Sequence, residues 1–417
     1  MYQTHLTEPQ GKIKNPQGKI KRQIQARANE LGFELIGITP AAQSETIARY
    51  QQWIESGYAG EMSYLEKHLP LKTDVRRLLT EAKSVISLAM NYYTLDPPEV
   101  LAQDPGRGQI SRYAWGDDYH ELIRERLLEL VTFIKQTAEI ELRTRVCVDT
   151  APIIEREYAQ RAGIGWIGKN TNLIHWRSGS WYFLAEVLID VALESDESDL
   201  RGSCGTCTRC IEACPTDAII EPNLLDSRLC ISYLTIELKG SIPKALRPKV
   251  GNLIFGCDIC QEVCPWNSKA VPTTEPAFQP RDGNLAPQLL SLVGMTQQEF
   301  SRRFKGSPIK RAKRRGFLRN VLVAIGNWGT RRSDALHHDD RDRVTSEAVP
   351  ALEGALVDHE PLVRGHAAWA LGKIGGETAK RVLKTRLTVE TDQDVITEIQ
   401  DALLETEQLS GRDQKNA

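Results

Sequence analysis

Eight of the nine cysteines of this 417-residue chain fall within residues 204–264. Cys204, Cys207, Cys210 and Cys214, followed by Pro215, spell C-x2-C-x2-C-x3-C-P. Such short spacings let three thiolates of one loop cap three irons of a single cubane and throw the fourth cysteine toward a neighbouring cluster. The second half, Cys257-x2-Cys260-x3-Cys264-Pro265, repeats the pattern without its first cysteine, and Cys230, 27 residues upstream, is the natural replacement. Exchanging the outer cysteines assigns Cys204, Cys207, Cys210 and Cys264 to one 4Fe–4S cluster. Cys214, Cys230, Cys257 and Cys260 then hold a second. Zinc also takes four thiolates, but its sites pair cysteines as C-x2–4-C rather than as a triplet ending in C-P. Cys147 stands apart in an apolar run and reads as a buried, inert thiol. Two clusters at ferredoxin distance move single electrons and do no bond chemistry alone. The rest of the chain must therefore hold a further cofactor or the docking site of a partner.

Hydrophobic residues make up 41% and charged residues 26%, so a sizeable core can form. With a net charge of −2, any nucleic-acid surface has to be a local patch. No run approaches the roughly 18 apolar residues of a membrane helix, and the polar first 21 residues lack a secretory core or a twin-arginine signal. The expectation is a cytoplasmic protein away from membranes, where clustered thiols bind metal rather than pair.

The elements that must position the clusters follow from periodicity. Ile20, Ile24, Ala28 and Leu31 suit one helical face, with Gly32 at its C-terminal stop. Apolar runs at 35–38, 84–90, 146–148 and 181–193 read as buried strands, and residues 119–134 as an amphipathic helix. Mixed strands and helices over about 180 residues suggest an α/β or α+β domain. The acidic stretch 194–199 follows as a linker, then the cysteine module and a proline-rich connection. After Arg315 the pattern is helical, and "AIGNWG" at 324–329 returns as "ALGKIG" at 370–375, an offset of 46 (370 − 324). That lies within the roughly 40–47 residues of HEAT and armadillo repeats.

Two N-terminal segments stand out. In "CVDTAPIIEREYAQRAG" (147–163) a strand ends at Asp149 and a helix follows, which makes Asp149 a helix cap or a site residue at a strand edge. "GIGWIGKNTN" (163–172) is a glycine-rich loop that fits neither the dinucleotide fingerprint nor a P-loop. These motifs, the eight cysteines, "GSPIKRAKRRGFLRN" and the terminal helical repeats occur in the order found in epoxyqueuosine reductases. The chain resembles that family from about residue 19 to 404. The resemblance implies a cobalamin-dependent, two-cluster enzyme that removes the epoxide oxygen of epoxyqueuosine in the tRNA anticodon stem-loop, the last step to queuosine. Electrons would come singly from an external donor.

The resemblance also assigns roles. Asp149 matches the family's catalytic acid and a cofactor contact, and a carboxylic acid serving at neutral pH needs its pKa raised by burial. Ile167, Gly168, Lys169 and Asn170 match the loop around the corrin. Lys72 stands where the family usually has an arginine against the cofactor, and Cys257 and Asp258 fall at the cluster edge facing it. No D-x-H-x-x-G motif is present, so His120 is a poor lower ligand and base-off cobalamin is expected. Lys310, Arg311, Lys313, Arg314 and Arg315 suit phosphate contact, and Lys239 and Gly240 match a segment near the substrate. The whole reads as an α+β multidomain protein, expected to be a monomer. It has a flexible tail (1–18), an α/β cobalamin-binding catalytic domain (19–195), a bacterial ferredoxin-like two-cluster module (200–270), a connector with the basic run (271–315), C-terminal HEAT-like α-helical repeats (316–407) and a tail (408–417). Residues 337–343 read as a loop. Two rival readings are a corrinoid iron–sulfur reductive dehalogenase and a two-cluster electron carrier without an active site.

Overall fold

The computed structural model describes residues 16–138, 141–196, 201–330 and 344–416. The expected loop at 337–343 and nearly all of the tail at 1–18 lie outside them. Four strands form the main sheet: β1 (Leu35–Pro40), β2 (Ser84–Asn91), β3 (Thr144–Val148) and β4 (Tyr182–Ile189), in the order β1-β2-β4-β3. Every neighbouring pair is antiparallel. The expected mixture of helix and sheet is present, and the antiparallel pairing gives it an α+β rather than a doubly wound character. β4 is shorter than the apolar run 181–193, because beyond Ile189 the chain leaves the ladder and Leu193 N donates to the Ser84 hydroxyl instead.

Each face of the sheet is covered. On one, α1 (Pro16–Glu30) and α2 (Tyr119–Ala138) lay Ile24, Ala28, Ile123, Leu127, Leu130 and Ile134 over Ile38, Ile86, Leu88, Phe183, Ala185 and Val187. On the other lies the short α3 (Glu155–Arg161), with Tyr158 packed in a cluster of Val85, Cys147, Ile153 and Leu188. Gly37 of β1 is where α3 ends against the sheet: a Cβ there would stand 2.0 Å from the carbonyl oxygen of Ala162. The acidic linker is partly pinned, since Asp196 accepts from Ile38 N at 2.9 Å and pairs with Lys21.

The cysteine module is made of loops and single helical turns, and its second half does not pack alone. Ile231, Leu234, Ile254 and Phe255 belong to one core with Phe317, Val321, Trp369 and Leu371 of the C-terminal helices. These are α4 (Lys313–Thr330), α5 (Pro361–Ile374) and α6 (Gln393–Asn416), with Gly376–Leu387 between the last two. The sequence echo at offset 46 has a packing cause. A Cβ on Gly326 would meet the Trp369 ring at 2.4 Å, and one on Gly372 would meet Ala402 Cβ at 2.8 Å, so each helix crosses the next at its glycine. Three bounds differ from expectation. α1 begins at Pro16, α4 begins inside the basic run, and α6 carries helical backbone through to Asn416, across most of the expected tail.

Because the Ala162 carbonyl cannot retreat without moving α3, Gly37→Ala is expected to lower stability by about 1–3 kcal/mol. A urea midpoint equal to that of the parent would show that α3 is not held by this contact.

Candidate active site

The glycine-rich loop is a tight ribbon, Trp166–Ile167 against Leu173–Ile174. Gly168 is forced, since a Cβ there would lie 2.4 Å from Ile174 Cδ1. Asn223 Nδ2 ties the loop down from outside, donating to the carbonyls of Ile167 and Gly168 at 3.1 and 2.7 Å. The next two residues reach the cysteine module. Lys169 N donates to Cys204 Sγ at 3.4 Å, and its ammonium donates to the Gly205 and Cys207 carbonyls at 2.8 and 2.9 Å. Asn170, almost fully buried, donates to the Cys260 carbonyl at 3.1 Å. The side chains of Lys169 and Asn170 therefore clamp the cysteine loops.

The thiols gather in two sets. Cys204, Cys207, Cys210 and Cys264 line one cavity and lie within electrostatic reach of one another. Cys214, Cys230, Cys257 and Cys260 line a second, of about 300 Å³. Backbone amides face the sulfurs: besides Lys169 N, Ala218 N points at Cys214 Sγ from 3.3 Å. Four thiols around one space with N–H donors behind them suit an iron–sulfur cluster, whose potential such bonds tune. The second cavity extends past Tyr113 to Arg156, Asn170 and Thr171, so it opens from the thiols toward the sheet domain, as a cofactor between the two requires. Asp258 lines this cavity beside Cys257. Its buried carboxylate accepts from the Ser111 hydroxyl and from Arg112 N at 2.7 Å, bracing a turn beside Cys257.

Asp149 follows β3 at the sheet edge with φ 46°, a left-handed conformation rare outside glycine. Its Oδ2 accepts from the Tyr119 hydroxyl at 3.0 Å and lies 3.1 Å from His120 Nε2. The other ring nitrogen of His120 is 2.7 Å from Asp118. Burial works against a charged imidazole, but hydrogen bonds to Asp118 and then Asp149 outweigh it and push His120 up to about 9. Burial likewise pushes Asp149 up, yet the His120 and Tyr119 hydrogen bonds and the charges of His120 and Arg311 hold it below the usual carboxylate range. The expectation that burial would raise the pKa of Asp149 is thus corrected, because in this arrangement the proton resides on His120. The ion pair is complete below the ordinary imidazole value and is lost as pH rises through about 9. At the acid end it is present above the ordinary carboxylate value and is lost as pH falls through the lowered pKa of Asp149. His120, set aside in the sequence as an axial ligand, belongs to the site as its proton holder. The local signal for it was the spacing of Asp118, Tyr119 and His120.

Lys72 donates to the Ile153 carbonyl at 3.0 Å and sits 5.5 Å from the Tyr50 ring centre. Burial lowers its pKa against the attraction of Glu155. Arg311 pairs with Glu237 through bonds of 2.9 and 3.0 Å, 5.5 Å from the Tyr64 ring, on the Asp149 side of the cleft. The basic run is consequently split. Lys310 and Lys313 are exposed and Arg315 is half-buried, whereas Arg314 is buried in an ion pair with Asp358 and donates to Met295 O at 2.7 Å. This corrects Arg314 as a phosphate contact, since a guanidinium committed to a buried carboxylate is not offered to RNA. Lys239 is exposed, and its backbone N–H donates to Glu61 at 2.9 Å. The fully buried Arg319 fixes the same segment through the carbonyls of Leu238 and Gly240.

Three family models match in succession: "Epoxyqueuosine reductase QueG, DUF1730" over residues 72–150, a 4Fe-4S double cluster binding domain over 203–267 and HEAT repeats over 319–404. The epoxyqueuosine reductase of Escherichia coli K12 is 40% identical over 357 residues, covering 85% of this chain and 89% of its own. A solved epoxyqueuosine reductase with an epoxyqueuosine-modified tyrosine tRNA stem loop has TM-score 0.83 at 30% identity, covering 94% of this chain and all of the other. The Bacillus subtilis enzyme, solved with its catalytic aspartate loop swung out of the active site, has TM-score 0.82 at 30% identity and covers 93% of this chain and 99% of its own. Identity of this order across nearly the whole of each chain is far beyond shared fold alone, and the chain belongs to the epoxyqueuosine reductase family.

Proposed function

We propose that this chain removes the epoxide oxygen of epoxyqueuosine in tRNA to give queuosine, as an oxidoreductase with cobalamin and two 4Fe–4S clusters as its cofactors. The observation that carries this reading is the 300 Å³ cavity of the second thiol set, whose wall includes Tyr113, with the Tyr113 ring 6.2 Å from Tyr119 of the Asp149–Tyr119–His120 network. Electron carriage and proton delivery meet there. Cys204, Cys207, Cys210 and Cys264 hold the first cluster, and Cys214, Cys230, Cys257 and Cys260 the second. When bound, the clusters and the corrin supply electrons one at a time. Base-off cobalamin would sit in the cavity between the second thiol set and the sheet domain, where Asn170, Cys257 and Asp258 line the wall, with Lys72, Ile167, Gly168 and Lys169 as further contacts.

The chain's own residues manage the proton. His120 holds it at Nε2, and Asp149 passes it from Oδ2 to the departing oxygen as the pair moves against the substrate. The positive φ of Asp149 marks a strained backbone position at this site. The modified base is splayed from its loop to enter the cleft between Asp149 and Glu237–Arg311. Lys310, Lys313, Arg315 and Lys239 contact the phosphates of the anticodon stem-loop. An external one-electron carrier docks over an open cleft of about 660 Å³ beside Cys264, between Arg209, Glu212 and Ser268. The protein acts as a cytoplasmic monomer. Among the described residues no helix is long and apolar enough to cross a membrane.

Anaerobic reconstitution with iron, sulfide and cobalamin, followed by turnover on epoxyqueuosine-containing tRNA, tests the function. Loss of one oxygen from the nucleoside should require both cobalamin and reductant, and an unchanged nucleoside mass from fully loaded protein refutes it. Asp149→Asn should keep both clusters and cobalamin while losing about 100-fold or more in turnover. The same change should move the His120 imidazole titration down from about 9 in an NMR pH series. A titration left where it was would show that Asp149 does not hold the proton on His120. Replacing Lys310 and Lys313 with alanine should weaken tRNA binding and flatten its salt dependence by about one unit of log–log slope for each lysine removed. Arg314→Ala should instead cost about 3–5 kcal/mol of stability, read by denaturation, because it strands Asp358.

A further inference from the structure

Removing an epoxide oxygen as water consumes two electrons and two protons. The His120–Asp149 pair holds one proton at a time, so a second must come from elsewhere. Behind Asp149 lies a group that this proton path leaves unused. Glu186, in the middle of β4, is 0% exposed, and neither of its carboxylate oxygens has a partner. Strand register sets it between Ser87 of β2 and Cys147 of β3, a polar row across the face that α3 covers. The Ser87 hydroxyl is buried and unpartnered as well. Around the row the layer is apolar, with Val85, Ile153, Tyr158 and Leu188.

Glu155, the first residue of α3, stands between this row and the site, close enough for its charge to act on Glu186 and Cys147. Its Oε1 accepts from Asp149 N at 2.6 Å. The charged and titratable groups facing the two acids are Lys72, Asp149, Arg156 and Cys147, with Arg145 beside Cys147. Burial, then the neighbouring Glu155, pushes Glu186 well above the usual range, and Lys72 offsets this only in part. Burial and then the charge of Asp149 push Glu155 up to about 8. An ionised carboxylate with no donor is too costly to keep in such a layer, so Glu186 carries a proton at neutral pH.

We propose that Glu186 and Glu155 form a buried proton store that delivers to Asp149, by way of Glu155, the second proton leaving with the epoxide oxygen. Both C–O bonds break and a C=C bond forms. Two electrons arrive singly from the external reductant through the cysteine module, and the oxygen departs as water. One of its protons comes from His120 and one from Glu155. Glu186, which has no hydrogen-bond partner at rest, reprotonates Glu155 on rotating toward it, and solvent on the open side of Asp149 refills the store. Glu186 is in this scheme a positioning and proton-holding residue that never touches the substrate. The scheme rests on the proposed reductase function.

Two measurements test it. Infrared difference spectra of the intact chain, taken in H₂O and D₂O without turnover, should show a protonated-carboxyl C=O band at neutral pH. That band should lose the Glu186 share of its intensity in Glu186→Gln, which keeps size and shape and leaves the Glu155 carboxyl in place. With clusters and cobalamin loaded, Glu186→Gln should lower kcat at least about tenfold, leave KM for the tRNA unchanged and raise the solvent deuterium isotope effect. Glu186→Asp should recover part of the rate. A Glu186→Gln enzyme with parental kcat and isotope effect overturns the relay, as does a parent lacking the carboxyl band. If the parent shows the band but leaves epoxyqueuosine unchanged, the functional reading fails, and with it the relay's role.

Discussion

The clamp made by Lys169 and Asn170 is the constraint on which the site depends. The cysteine loops have almost no regular structure, and a loop without a core of its own holds position only through the bonds it makes to neighbours. Lys169 bonds the loop of Cys204 to Cys207, and Asn170 bonds the segment of Cys260. One glycine-rich ribbon of the sheet domain therefore sets the place of both thiol sets, and Asn223 from the module reaches back to fix that ribbon. A side chain at Gly168 would crowd Ile174 Cδ1 and the Asn170 amide oxygen, at 2.4 and 3.0 Å from its Cβ.

The shared core makes the second support. The segment bearing Cys230 and Cys257 is packed with the C-terminal helices, so the helical repeats are a scaffold for the electron path as well as a surface. Arg319 and Asn320 show how tightly they are joined. Both are fully buried on α4, and both spend their donors on carbonyls of residues 234–254 in the cysteine module. A site assembled from two domains needs this kind of fixed geometry, since proton transfer is sensitive to small displacements.

Electrostatics in the cleft follows from where charge is unpaired. Asp149 has donors and stays an anion, while Glu186 has none and stays an acid. Two carboxyls in one sheet domain thus hold opposite protonation states through environment alone. His120 joins them because Asp118 anchors its far nitrogen and Tyr119 stacks on it, with ring centres 4.1 Å apart.

The sequence by itself determined the cluster-binding class, the helical repeats and the strand positions. Each is written in local spacing: C-x2-C-x2-C-x3-C-P, a glycine motif repeated once at an offset of 46, and apolar runs of strand length. Family likeness added Asp149 and the basic run as candidates. Only tertiary structure decided which members of those candidates are available. Arg314 and Lys310 look alike in sequence, yet one faces Asp358 in the core and the other faces solvent. Lys169 and Asn170 read as cofactor contacts in the sequence, and folding adds the bonds they make to the cysteine loops. His120 became a proton holder through Asp118 two residues back together with Asp149, 29 residues on, and Glu186 became an unpaired acid through strand neighbours 39 residues and more away. Spacing fixes what a residue can bind within its own loop. Its charge state and its partners depend on which distant groups the folded core brings within a few ångströms.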